Sequence, residues 1–116
     1  AWGRMLRDAI ASFPGDQRVV ILGTGGLSHS IGEPTMGEID EPFDHTCIDL
    51  FSSGSDAEIA ATLEHRLLST GNGGHEVRNW VIAHAAAGGQ GFDLIDYAPL
   101  PEVYVGCGFA EWRMEA

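Results

Sequence analysis

Val19-Val20-Ile21-Leu22-Gly23-Thr24-Gly25-Gly26-Leu27-Ser28-His29 is the stretch around which the chain reads. An apolar, β-prone run enters a glycine-rich turn, and the turn ends on a serine and a histidine. An apolar run bounded by glycine reads as a strand buried on both faces. Glycines directly after it allow positive φ and close approach by another group. In open α/β sheets, ligands collect outside the carboxyl ends of strands. His29 is therefore carried to the place where such folds do chemistry, although a tight turn with an incidental histidine gives the same pattern.

Outward from this stretch, Trp2, Met5, Leu6, Ala9, Ile10 and Phe13 have helical spacing, and Pro14-Gly15-Asp16 ends that helix. Helix, turn, strand over Trp2 to Leu22 is an α/β unit. Gly23 to Asp40 is long, irregular and glycine-rich, and loops of this length tend to be functional. Pro42 opens a helix through Phe51 that Ser53-Gly54 stops. Ser55-Asp56-Ala57-Glu58 matches a capping box and starts a helix through Leu68, ending at Gly71. A second glycine turn, Gly71 to Gly74, leads into a helix from Glu76 to Ala87 with Val77, Trp80, Val81 and Ala85 inward. Phe92 to Tyr97 reads as a short strand, Pro99 and Pro101 interrupt, and Val103-Tyr104-Val105 reads as another strand. The expected fold is α/β, with helices packed on a mixed central sheet in one domain. The chain starts at Ala1-Trp2-Gly3-Arg4, inside that first helix, so the expectation is an incomplete portion of a larger α/β domain.

The totals exclude several classes. The 116 residues are one domain's worth, 44% hydrophobic. No apolar run approaches the roughly 18 residues of a membrane span. Six basic residues face 17 acidic ones, a net charge of -11, and all six are arginine. Lysine Schiff bases and a phosphate-loop lysine are thereby excluded. An acidic chain without a basic patch argues against nucleic acid and anionic membranes as partners. Cys47 and Cys107 have no metal or redox spacing and read most simply as reduced thiols of a cytoplasmic protein.

Generic motifs fail on the glycine turn. A dinucleotide fingerprint needs a helix straight after it, where Gly32, Pro34 and Gly37 stand instead. A nucleophile elbow needs glycine where Ser30 stands. Five histidines and many carboxylates invite a metal, and non-haem Fe(II) sites use two histidines and one carboxylate. Yet His84 lies eight residues beyond Glu76, about 12 Å along a helix. His45, His65 and His75 each read more readily as surface or satisfied histidines than as ligands. No complete triad is legible.

Gly23-Thr24-Gly25-Gly26-Leu27-Ser28-His29 followed by Phe43-Asp44, then Gly73-Gly74-His75-Glu76-Val77-Arg78-Asn79-Trp80, then Ala98-Pro99-Leu100-Pro101 with Tyr104-Val105-Gly106, resembles the class III extradiol ring-cleaving dioxygenases, in particular the protocatechuate 4,5-dioxygenase β-subunit type. The resemblance covers most of the chain from Val19 onward and implies that residues 1–116 are the C-terminal portion of a single catalytic domain. It implies extradiol cleavage of a catechol-type ring by O2 at a non-haem Fe(II) site, in aromatic compound catabolism. Glu76 would be the carboxylate ligand of Fe(II), and His29 an acid/base beside the iron. The family's two histidine ligands lie upstream of the matching region, which would leave the isolated chain inactive. Thr24, Ser28 and Tyr104 are the candidate substrate contacts. An oligomer or hetero-subunit assembly is implied as well. The alternative is a non-catalytic structural or subunit-interaction segment of such an enzyme.

Overall fold

The computed structural model describes residues 1–114. In chain order the elements are α1 (Trp2–Ser12), α2 (Glu41–Ser53), α3 (Asp56–Arg66), α4 (Val77–Ala86), β1 (Phe92–Leu100) and β2 (Val105–Trp112). Helices pack against a sheet, as the α/β reading requires. Among the described residues that sheet is one antiparallel pair, β1 with β2, and not a mixed sheet.

Helices α2 and α3 start where local chemistry supplies a side-chain cap. Asp40 accepts the Phe43 N–H at 2.9 Å, and Pro42 occupies the first turn of α2. Ser55 and Glu58 close the expected capping box of α3. That helix ends at Arg66, two residues earlier than the pattern suggests. The chain tightens into a 3-10 turn over Leu67–Ser69 before Gly71 reverses it at a φ of 87°. A second 3-10 turn, Gly74–Glu76, precedes α4, so Glu76 is the cap residue of that helix and lies one step before its first turn.

The core joins Leu27, Phe43, Cys47, Phe51, Val77 and Trp80, with Phe92 and Trp112 of the hairpin packed on it. His84 is buried in this cluster and accepts the Trp112 indole N–H at Nδ1, 2.9 Å away. It is thus a satisfied core histidine. Both cysteines are free thiols, and burial pushes the Cys47 thiol up to about 12. Helix α1 approaches α4 through Gly3, where a Cβ would overlap Ile82 O and the Ala85 methyl.

Three expectations are corrected. Arg18 to Leu22 is not a strand, and Val20 and Leu22 are each 79% exposed. A strand is a hydrogen-bonded partnership, and no described strand pairs with this run. Val103-Tyr104 is not a strand either. Pro101–Val103 forms a 3-10 turn and Tyr104 takes a left-handed conformation, φ 67°, so these residues make the tip of the hairpin. Pro99, expected to interrupt, sits inside β1 opposite Gly106. The Gly106 N–H and C=O both turn away from β1, to Ser28 O and the Leu27 N–H, each at 2.9 Å. Pro99 therefore occupies a pair that exchanges no ladder bonds, where its missing N–H is not needed.

Candidate active site

The glycine turn, the start of α4 and the start of β2 converge on His29. Three side chains of the α4 start hold the turn. Asn79 Nδ2 donates to Thr24 O at 2.9 Å, Trp80 Nε1 donates to Gly25 O at 3.0 Å, and the Gly26 N–H donates to Glu76 Oε2 at 3.1 Å. Gly25 has a φ of 101°, and a Cβ there would press into the Glu76 side chain. The glycines thus do two things: they bend the chain, and they let the carboxylate lie on it.

His29 is held from every side. It bridges Val105 at the start of β2, and its carbonyl accepts the Gly73 N–H at 3.0 Å. Its imidazole lies against Gly73, where any Cβ would overlap the ring. The residue is only 7% exposed. Nδ1 is 2.9 Å from Leu27 O, and because a carbonyl only accepts, Nδ1 carries a proton. That leaves Nε2 as the working nitrogen, 3.5 Å from Glu76 Oε2. The Glu76 side chain is 49% exposed, so one carboxylate faces both the imidazole and open space.

The other candidates separate. Thr24 is exposed, with its carbonyl engaged by Asn79. Tyr104 is 40% exposed at the hairpin tip, next to Val105, the bridging partner of His29. Ser28 is fully buried. Its hydroxyl donates to Asp44 Oδ2 at 3.0 Å and accepts the Asp40 N–H at 2.8 Å, so it serves the turn itself.

Sequence reasoning did not assign a role to Asp44. It is fully buried and accepts three bonds: from the Ser28 N–H at 2.7 Å, from the Ser28 hydroxyl, and from the Tyr97 hydroxyl at 2.7 Å. Burial raises its carboxyl above the ordinary range, and the bonds from Tyr97 and Ser28 pull the other way. Burial and the bond to Asp44 likewise push the Tyr97 phenol up. The signal was present in α2, since Asp44 falls in helical register with Ile48 and Phe51 on the buried face. An acid there needs partners.

Among the described residues no group of three or more histidine, cysteine or carboxylate side chains converges as a metal site. The chain brings His29 and Glu76 together and does not bring His45, His65, His75 or His84 to them.

Comparison with known proteins agrees with the convergent motifs. Residues 1–108 match the family described as the catalytic LigB subunit of aromatic ring-opening dioxygenase, and the chain belongs to this family. It is 34% identical over 80 residues to a gallate dioxygenase of Pseudomonas putida, covering 69% of this chain and 24% of that protein. It is 26% identical over 138 residues to a 2,3-dihydroxyphenylpropionate/2,3-dihydroxicinnamic acid 1,2-dioxygenase of Mycolicibacterium paratuberculosis, covering 78% of this chain and 44% of that protein. The matches thus span 24% and 44% of the length of these two relatives, less than half of each. No solved structure matches it. No helix of the described residues is long and apolar enough to cross a membrane.

Proposed function

We propose that this chain supplies the carboxylate ligand and the proton-handling histidine of an extradiol dioxygenase. The enzyme would open a catechol-type ring next to its diol and place both atoms of O2 in a semialdehyde-type acid. The observation that carries the reading is the pairing of His29 Nε2 with Glu76 Oε2 at 3.5 Å, on an imidazole whose other nitrogen is already committed. Family membership and the two ring-cleaving relatives support it. The protocatechuate 4,5-dioxygenase β-subunit type is the particular form we favour.

Glu76 suits one ligand of Fe(II), and the other ligands would have to come from outside the described residues of this chain. When bound, such an ion would act as a Lewis acid toward the diol. The chain's own work is proton transfer. Neutral imidazole at Nε2 can take a proton from a substrate hydroxyl near pH 7 and return one to a leaving oxygen. Nδ1–H, bonded to Leu27 O, keeps the ring oriented through both steps. Thr24 on the glycine turn and Tyr104 beside the bridging Val105 are proposed as substrate contacts, while Ser28 contributes by shaping the turn. A cytoplasmic enzyme assembled from more than one chain or subunit completes the proposal.

One finding is on the side of a second reading, a structural or subunit-interaction segment: among the described residues no group of three or more histidine, cysteine or carboxylate side chains converges. The two readings separate in the complete protein. Under the first, His29→Gln lowers turnover of a catechol substrate by about 10²-fold or more while bound iron is retained. Under the second, the substitution leaves turnover unchanged.

A further inference from the structure

The Leu27–Ser28 peptide unit carries a hydrogen bond at each end. Its N–H, from Ser28, donates to Asp44 Oδ1 at 2.7 Å. Its C=O, from Leu27, accepts Nδ1–H of His29 at 2.9 Å. The two groups of a trans peptide point in opposite directions, so the three partners form one chain: carboxylate, peptide, imidazole.

We infer that Asp44 is a positioning residue that sets the tautomer and orientation of His29 through the Leu27–Ser28 peptide. The physical argument has two parts. A carboxylate accepting from the N–H draws the peptide dipole toward itself and makes the carbonyl at the other end a stronger acceptor, the cooperative effect of linked hydrogen bonds. A stronger acceptor at Leu27 O favours the proton on Nδ1 and so opposes the pull of the Glu76 carboxylate, which lies 3.5 Å from Nε2 and favours a proton there. The arrangement does the work of a carboxylate bonded directly to a histidine, with one peptide unit inserted between them.

The surroundings are built to keep this chain taut. Gly106 flanks it, with its N–H donating to Ser28 O and its C=O accepting the Leu27 N–H. A Cβ at Gly106 would overlap Asp44 Oδ2, so a glycine is what lets the carboxylate reach the turn. The Ser28 and Tyr97 hydroxyls occupy Oδ2 and leave Oδ1 to the peptide. All three bonds run toward Asp44, which suits an acceptor on both oxygens.

The consequence for turnover rests on the proposed role of His29, but the tautomer does not, so it is read on the metal-free 116-residue chain by 15N NMR of the imidazole, at a pH where the spectrum itself shows the ring to be neutral. In the unsubstituted chain, His29 is expected as the Nδ1–H form, with a slowly exchanging Nδ1 proton coupled across the bond to the Leu27 carbonyl. Finding the Nε2–H form there overturns the inference without any variant. In Asp44→Asn the Nδ1–H resonance is expected to be lost and the Nε2–H form to become a major species. Ser28→Ala and Tyr97→Phe remove bonds to Oδ2 but keep the peptide bond to Oδ1, and both are expected to retain the Nδ1–H form. If all three substitutions shift the tautomer alike, Asp44 serves only the packing of the turn and the inference fails. If Asp44→Asn folds and keeps the Nδ1–H form, it fails as well. A chain that passes these tests but shows no dioxygenase activity in the complete protein refutes the functional reading and leaves the peptide relay standing.

Discussion

Gly73 shows how closely the site is drawn at the level of single atoms. Its φ of -81° is ordinary for any residue, so an alanine there would by backbone entropy alone stabilise the fold by about 0.4–1 kcal/mol. The imidazole of His29 fills the space that the methyl needs, which reverses the sign. Gly73→Ala is expected to destabilise the chain by about 1–3 kcal/mol, read from urea unfolding, and to displace the His29 ring. No loss of stability would show that the ring is free to swing away. His29 and Glu76 were legible from the sequence as residues at a turn and a helix start, because each closely follows a glycine-rich turn. Their contact was not, since the 46 residues between them had to fold first. Asp44 was less legible still. A buried acid and a surface acid look alike until the neighbouring face is known, and its three donors come from the turn and from β1.

The elements divide by whether their stabilising partners are local. The start of α3 was readable to the residue because a capping box is built within four residues. Ser55→Ala is expected to cost about 1 kcal/mol in thermal or urea unfolding, with no effect on the His29 environment. The hairpin was misread for the opposite reason. Gly106 and Gly108 hide the strand character of β2, and Pro99 reads as a breaker until its partner is known to face Leu27 and Ser28. Pro99→Ala is accordingly expected to change stability by no more than about 0.5 kcal/mol, in contrast to a proline at a bonded ladder position. A loss of several kcal/mol would mean that β1 is paired differently. Arg18 to Leu22 was misread for lack of a partner: its apolar side chains were legible, but a strand is made by its neighbours.

Across the whole molecule, one side is packed and the other is open. The packed side holds the aromatic cluster around Phe51 with His84 inside it. Burial lowers the His84 pKa, so the folded protein resists a proton that the unfolded chain accepts. The His84 contribution to stability is therefore level above about pH 6.5 and falls as the pH drops below that value toward the lowered folded-state pKa, because only the unfolded state gains the proton there. Denaturant titrations across this range test the slope, and His84→Gln, which keeps an acceptor for Trp112, should flatten it. The open side is an apolar groove of about 820 Å3 between Val19–Leu22 and the Phe109–Trp112 end of β2. Leu22→Asp in the 116-residue chain should leave its unfolding free energy within about 0.5 kcal/mol, since the side chain is 79% exposed.

The division of labour between Glu76 and His29 is the centre of the account, and anaerobic iron stoichiometry of two variants of the complete protein tests it most directly. Glu76→Ala is expected to lose tightly bound iron. His29→Gln is expected to keep it at the level of the unsubstituted enzyme while turnover falls about 10²-fold or more. Iron lost from His29→Gln, or retained by Glu76→Ala, would contradict the assignment.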